Sequence, residues 1–147
     1  MIDSSQRINR SVAHLLHQAE QAATTLFAAN ALGFITPRQL AILITVSENE
    51  GLNQTQVVER TGVDRSTLAD IIKRLARKGL LQRRRSREDT RAKVLRLTDE
   101  GRQLLAVADP VSRNVDELLL RALPERHRER FIEALQGIVR GLERGAR

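Results

Sequence analysis

A dense group of basic residues occupies the middle of this sequence. Between positions 65 and 96, twelve lysines and arginines stand against three acidic residues, so this segment has a formal charge of +9. The whole chain carries only +7, which leaves the remainder slightly acidic. Guanidinium and ammonium groups bind phosphate and carboxylate oxygens. A patch confined in this way predicts a docking surface for a polyanion.

The first half of the basic segment has the spacing of an amphipathic helix over residues 65–78. Its apolar residues fall on one face, so its polar side chains point the other way. Arginine can bond guanine, serine can bond several base edges, and aspartate can accept from cytosine. These types predict a helix that reads the major groove of DNA, and the alternative is an ordinary solvated helix face. The predicted groove-reading residues are Arg65, Ser66, Thr67, Asp70, Lys73, Arg74 and Arg77.

The second half of the segment is β-prone. Residues 80–85 and 93–98 predict two short strands joined by a polar loop at 86–92. A basic hairpin suits DNA phosphates, and its tip suits the minor groove, where we expect Arg91. We expect Asp89 either to orient the guanidinium of Arg91 or to hydrogen-bond its own loop backbone. The predicted wing contacts are Arg83, Arg84, Arg85, Arg87, Asp89, Arg91 and Lys93.

Short capped helices must position these groups. Thr36 with Gln39, and Asn53 with Gln56, have the spacing of two capping boxes, so a helix is predicted to begin after each. The segment at 61–62 then predicts a tight turn before the helix at 65–78. A short helix, a glycine-containing turn and a second helix are the pattern of a helix-turn-helix.

The ends of the basic helix also carry signals. Asp64 is placed to cap its start, and Gly79 is placed to end it in the left-handed conformation. Thr98, followed by two acids, predicts the start of a further helix. That helix is expected to continue through Pro110 with a kink, and another is expected after Pro124.

Both ends of the chain predict long helices with a heptad-like apolar seam. The first is expected to end near Gly33, and its seam residues are Ile8, Val12, Leu15, Ala19, Ala22 and Leu26. Such seams favour a dimer, and the alternative is a monomer that packs the same helices on itself. The predicted fold class is mainly α with a small β hairpin, in one domain spanning 1–147. It is a winged helix-turn-helix at 36–98, flanked by long dimerisation helices at 1–35 and 99–147.

Residues 64–101 read DRSTLADIIKRLARKGLLQRRRSREDTRAKVLRLTDEG, which resembles the core of MarR-family regulators. The family's wing motif falls on Asp89 and Arg91, and its strand-to-helix motif falls on Leu97, Thr98 and Gly101. Many members carry an arginine where this chain has Thr90. That departure weakens a wing contact with phosphate but leaves the arginine at the tip.

The resemblance implies a homodimer that binds a pseudo-palindromic operator in double-stranded DNA. It also implies a sequence-specific transcriptional regulator, typically a repressor that a small-molecule effector such as an aromatic carboxylate releases. Residues on or beside the first two helices are candidates for the effector pocket, although the phenylalanines also suit a core and the arginine also suits solvent. They are His14, His17, Thr24, Phe27, Phe34 and Arg38.

Two alternatives differ from this interpretation. His14, His17 and Glu20, spaced i, i+3 and i+6, offer the ligand types of zinc and therefore a metal-responsive regulator. A basic architectural protein that binds DNA without sequence preference is the second alternative.

Several classes are disfavoured by composition. The chain has no cysteine, so disulfides and thiolate metal sites are excluded. It has no glycine-rich phosphate loop and no cysteine nucleophile, and we expect neither an enzyme nor a cofactor. It has three phenylalanines and no tyrosine or tryptophan, which disfavours RNA recognition by base stacking. No apolar run approaches the about 18 residues of a membrane span and no signal peptide is evident, so we expect a cytoplasmic protein.

Overall fold

Short capped helices and one hairpin lie between long terminal helices. The computed structural model describes residues 7–30 and 35–145. Over these ranges it contains six complete helices and a two-stranded antiparallel sheet, and residues 7 and 8, at the start of the described range, are also helical. The elements are α1 (Val12–Asn30), α2 (Pro37–Glu48), α3 (Gln54–Thr61), α4 (Arg65–Arg77), β1 (Leu81–Arg85), β2 (Lys93–Leu97), α5 (Asp99–Arg121) and α6 (Glu125–Gly145). The predicted fold class is confirmed, and the predicted helix end near Gly33 lies outside the described residues.

The two predicted capping boxes are confirmed. The Gln39 amide donates to Thr36 Oγ1 over 3.1 Å, and the Thr36 amide donates back to Gln39 Oε1 over 3.2 Å. The same reciprocal pair joins Asn53 and Gln56, with both distances 2.9 Å. Each pair satisfies amide groups that the first turn of a helix leaves free, which is why α2 and α3 begin where they do.

The predicted N-terminal helix is interrupted rather than continuous. Residues 7 and 8 are helical, residues 9–11 are not, and α1 begins at Val12. The amide of His14 donates to the hydroxyl of Ser11 over 3.4 Å. Serine is a preferred N-cap, so this local signal favours a new helix start after residue 8, within the predicted seam.

The helix-turn-helix has a continuous apolar core. The predicted inner face of α4 is fully confirmed, because Leu68, Ile71, Ile72 and Leu75 are all buried. Its partners come from α2, α3 and the hairpin, and they include Leu40, Ile42, Leu43, Val46, Val57, Leu81, Leu95 and Leu97. Each such side chain contributes roughly 1.5–3 kcal/mol on burial, so the core fixes the orientation of α4.

The hairpin is anchored at its base and free at its tip. Its register pairs Leu81 with Leu97 at the base and Arg85 with Lys93 beside the loop. The amide of Leu95 also donates to the carbonyl oxygen of Leu52 over 2.8 Å, which ties β2 to the segment before α3. The base therefore belongs to the core, whereas the charged end projects from it.

The start of α5 packs directly on the two residues that follow the basic helix, Gly79 and Leu80. Thr98 caps α5 by accepting from the amide of Gly101 over 3.0 Å, as predicted. The amide of Thr98 donates to the carbonyl oxygen of Leu80 over 3.2 Å. A Cβ atom at position 101 would overlap that same carbonyl oxygen, so only glycine permits this approach. Further along, α5 continues through Pro110, as predicted.

The terminal helices leave apolar side chains uncovered in the single chain. Val12 on α1 is 62% exposed and Leu142 on α6 is 71% exposed. Along residues 125–142, α6 has no fully buried side chain. No helix within 7–30 or 35–145 is both long enough and apolar enough to cross a membrane.

Candidate nucleic-acid interface

The outward face of α4 is free of the core. The predicted groove-reading residues Asp70, Lys73, Arg74 and Arg77 are exposed, and in the described part of the chain they make no hydrogen bond or ion pair with another side chain. Thr67 is half-buried, beside the helix start. Because the opposite face is packed against the core, these side chains are presented on a fixed helix.

The start of α4 is fixed by its cap. Asp64 Oδ1 accepts from the amide of Thr67 over 2.9 Å and from the hydroxyl of Ser66 over 2.7 Å. Hydrogen bonds from Thr67, through its side chain and backbone, and then from Ser66 hold the pKa of Asp64 far below its ordinary range. The proton of the Ser66 hydroxyl is thus committed to the cap. Its lone pairs remain able to accept from a base amino group or a water molecule.

Two residues at the start of α3 contact the basic segment, and sequence reasoning missed both. Arg65 Nη1 donates to the hydroxyl of Thr55 over 3.5 Å, and Arg83 Nη2 donates to Gln54 Oε1 over 3.2 Å. The second pair is 29 positions apart in the sequence, so no local pattern indicates it. The only available signal was that Asn53 caps α3 and fixes where Gln54 and Thr55 emerge. These contacts orient one arginine of α4 and one of β1.

The charged end of the hairpin has few internal contacts. Arg84 Nε donates to Gln82 Oε1 over 3.1 Å, a contact that sequence reasoning also missed. Four further side chains of the predicted wing set are exposed and have no side-chain partner within the described ranges, namely Arg85, Arg87, Arg91 and Lys93. Cations left unpaired in this way repel one another, so an external anion stabilises the arrangement.

The loop at 86–92 is held by backbone hydrogen bonds. The amide of Ser86 donates to the carbonyl oxygen of Ala92 over 2.8 Å, and the amide of Ala92 donates to that of Asp89 over 3.0 Å. The Asp89 carboxylate accepts from the backbone amide of Arg91 over 2.9 Å. Among the described residues it does not bond the guanidinium of Arg91, so the expectation that it orients that group stays a prediction. The other expected role, a turn residue that hydrogen-bonds its own loop backbone, is confirmed.

The predicted effector residues are not gathered in one place. Phe27 is 2% exposed and belongs to the core, in agreement with the alternative interpretation. His14 is half-buried on α1, whereas His17, Thr24 and Arg38 are exposed. Phe34 lies outside the described residues. Their role as an effector pocket stays a prediction.

The metal-responsive alternative is not supported. Within the described ranges, no group of three or more His, Cys, Asp or Glu side chains is placed to hold a metal ion. His14 and Glu20 are six residues apart on α1, a rise of about 9 Å, and they face different directions around the helix. A single ion cannot be reached by both from such positions.

A groove of about 530 Å³ runs between the outer side of α4 and β1. Arg83 lies on its β1 side, held by the bond to Gln54 described above. The groove is lined by Ile72, Lys73, Ala76, Arg77 and Arg83. It thus separates the groove-reading helix from the hairpin and leaves both surfaces accessible.

The MarR family model matches residues 35–93, which contain the helix-turn-helix and most of the hairpin. Transcriptional regulator HosA from Escherichia coli O157:H7 is 29% identical over 123 residues, covering 84% of this chain and 90% of the relative. The crystal structure of the PcaV transcriptional regulator from Streptomyces coelicolor is 31% identical with a TM-score of 0.74, covering 90% of this chain and 98% of that chain. Its complex with its natural ligand is 29% identical with a TM-score of 0.83, covering 95% and 96% respectively.

A DNA-bound structure is also similar. The transcriptional repressor CouR, bound to a 23-mer DNA duplex, is 26% identical with a TM-score of 0.81, covering 95% of this chain and 99% of that chain. These similarities span both the basic segment and the long terminal helices. The chain belongs to the MarR family of winged helix-turn-helix transcriptional regulators, which bind DNA and are not enzymes.

Proposed function

We propose that this protein is a homodimeric repressor that binds a pseudo-palindromic operator and is released from it by a small-molecule effector. One observation carries the DNA-binding part. Helix α4 buries its apolar face completely and presents Asp70, Lys73 and Arg74 on the other, immediately before the basic hairpin. Several cations of that hairpin have no side-chain partner within the described ranges. A helix held rigidly with such a face has the properties needed to read base edges.

We assign the contacts by chemistry. Arg83, Arg84, Arg85, Arg87 and Lys93 contact phosphates and supply most of the affinity. Ser66, Asp70, Lys73 and Arg74 read base edges in the major groove, and Arg91 enters the minor groove. The DNA-bound structure of CouR supports the use of this fold in DNA binding, because it matches over nearly the whole chain.

The exposed seams support a dimer built from 1–35 and 99–147, with 36–98 as the DNA-binding unit. Val12, Leu15 and Leu16 on α1, and Val139 and Leu142 on α6, are exposed in one chain. Apolar side chains clustered on terminal helices are stabilised when a second chain covers them. Two-fold symmetry then sets the two α4 helices about one helical turn of DNA, roughly 34 Å, apart. Sedimentation equilibrium tests this directly, and a monomer that still binds DNA would contradict it.

The effector proposal is supported by PcaV, which has been crystallised with its natural ligand. An effector releases DNA if it binds more tightly to the arrangement of α4 helices that does not fit the operator. Because its target is DNA, we place the protein in the cytoplasm. It requires no cofactor in this account.

Selection from a pool of random duplexes tests sequence specificity. We expect an enriched pseudo-palindrome with two half-sites about one helical turn apart. With Arg74→Ala, the preference at one position in each half-site should relax, whereas Arg113→Ala on α5 should leave the motif unchanged. A pool that binds without enrichment would contradict the proposal and favour the architectural alternative.

A further inference from the structure

A second cleft, of about 590 Å³, shares part of its lining with the proposed phosphate-binding surface. It opens between the end of α2, the hairpin and the first turn of α5. Five arginines line it, and Glu50 is its one acidic residue. These arginines are Arg84, Arg85, Arg87, Arg96 and Arg102. Its volume is within the range of small-molecule sites, roughly 300–1,000 Å³.

Arg96 is the most informative of the five. It lies on β2 opposite Gln82 and is half-buried. Its guanidinium makes no hydrogen bond or ion pair with any protein group in the described part of the chain. Guanidinium groups that are partly shielded from water and lack a protein acceptor are best satisfied by an anion.

Two neighbours complete a set of donors. Arg84 lies on the same strand face, where its bond to Gln82 fixes its direction. Among the residues that the structure describes, Arg102 on α5 is paired only with Asp99, over 3.6 Å, and both side chains are mostly exposed. An exposed pair of this kind contributes little, so Arg102 can turn to a bound anion at small cost.

The position of the cleft is also informative. Arg96 belongs to the hairpin and Arg102 to the long helix α5, and Thr98 lies between them where β2 leads into α5. An anion that contacts both arginines would therefore bridge the DNA-binding unit and the long helix. Most lining side chains are polar, and the three apolar ones, Val46, Leu95 and Leu97, are buried. This lining favours a small hydrophilic anion over an aromatic one.

We propose that this cleft binds a small anion with two or more negative charges, carboxylate or phosphate, held by Arg96 and Arg102. Its regulatory consequence rests on the proposed function. Arg84, Arg85 and Arg87 line the cleft and are also assigned to DNA phosphates, so a bound anion competes with DNA for them. Occupancy of the cleft weakens operator binding.

Calorimetric titration of the intact protein without DNA tests the site. Citrate and pyrophosphate are the probes, with acetate as the monovalent control at constant ionic strength. We expect one site per chain for at least one probe. Binding of citrate would indicate a carboxylate ligand, and binding of pyrophosphate would indicate a phosphate ligand. Arg96→Gln and Arg102→Gln should each weaken it at least about tenfold. Arg113→Gln is the matched control, because Arg113 is also paired with an aspartate on α5 but does not line the cleft.

Absence of binding by both probes, or equal weakening in all three variants, would overturn the site. If the site exists, the bound probe should lower operator affinity for the wild type but not for Arg102→Gln, and an unchanged wild-type affinity would overturn its regulatory role. The calorimetry contains no DNA, so a failure to find any operator would count against the proposed function alone.

Discussion

The hydroxyl of Thr98 donates a hydrogen bond of 2.6 Å to the carbonyl oxygen of Gly79. Gly79 follows the end of α4 in the left-handed conformation, with φ of 70°. The same hydroxyl oxygen accepts from the amide of Gly101 in the first turn of α5. One side chain thus joins the end of the helix proposed to read DNA to the start of a long terminal helix.

Removing the Thr98 hydroxyl should weaken the connection between the end of α4 and the start of α5. We expect Thr98→Val to lower the free energy of unfolding by about 1–2 kcal/mol, because a helix cap and a second hydrogen bond are lost together. Thr98→Ser retains the hydroxyl and should stay close to the wild type. Urea denaturation followed by circular dichroism measures both, and a valine variant as stable as the serine variant would contradict the assigned bonds.

A pair of glycine substitutions tests the close packing between Leu80 and the first turn of α5. In Gly101→Ala the new Cβ would overlap the Leu80 carbonyl oxygen, so we expect a loss of about 1–3 kcal/mol. Gly137→Ala on α6 meets no atom within 4 Å, and it should gain roughly 0.5–1 kcal/mol from helix propensity. Thermal unfolding distinguishes them, and similar effects of the two changes would count against the close approach at Gly101.

The helix caps show which structural features could be predicted from the sequence. Thr36, Asn53, Asp64 and Thr98 were all assigned correctly, because a cap depends on residues within three or four positions. The buried face of α4 followed from helical spacing for the same reason.

Longer-range contacts could not be obtained in this way. Gln54 can accept a hydrogen bond from Arg83 only when the hairpin lies beside α3, and neither local sequence predicts that contact. The carboxylate of Asp89 could accept from the guanidinium of Arg91 or from the loop backbone, and only the loop geometry shows that it accepts from the backbone amide of Arg91. The break in the N-terminal helix at residues 9–11 was also not predicted, because Ser11, a preferred N-cap, begins a new helix within the apolar seam.

The tip of the wing should respond to DNA shape. We expect Arg91→Ala to weaken operator binding about tenfold or more for sites with A·T-rich flanks, where the narrow minor groove is most negative. Sites with G·C-rich flanks should lose less. Binding measurements with matched flank variants provide the test, and equal losses for both flank types would place Arg91 on phosphates instead.

The cap of α4 should make stability depend on pH at the acidic end. Because hydrogen bonds from Thr67 and Ser66 lower the pKa of Asp64 below its ordinary 3.8, the ionised form stabilises the fold. This contribution is complete above pH 3.8 and is lost as the pH falls through the lower folded-state pKa. Asp64→Asn keeps an acceptor that does not titrate.

Thermal unfolding of both proteins measures this effect. The wild type should be more stable than Asp64→Asn near neutral pH, and the two melting temperatures should converge as the solution is acidified. A difference that stays constant through the acidic range would show that the charge of Asp64 does not matter for the cap.

Fluorescence anisotropy measures whether the protein recognises duplex DNA by its sequence. Duplex fragments from the region upstream of the protein's own gene and a scrambled control are titrated at several salt concentrations. We predict tighter binding to the upstream fragment, with a preference that survives rising salt although both affinities fall, since phosphate contacts weaken with salt. Equal and steeply salt-dependent binding to both fragments, or no binding to either, would contradict the account.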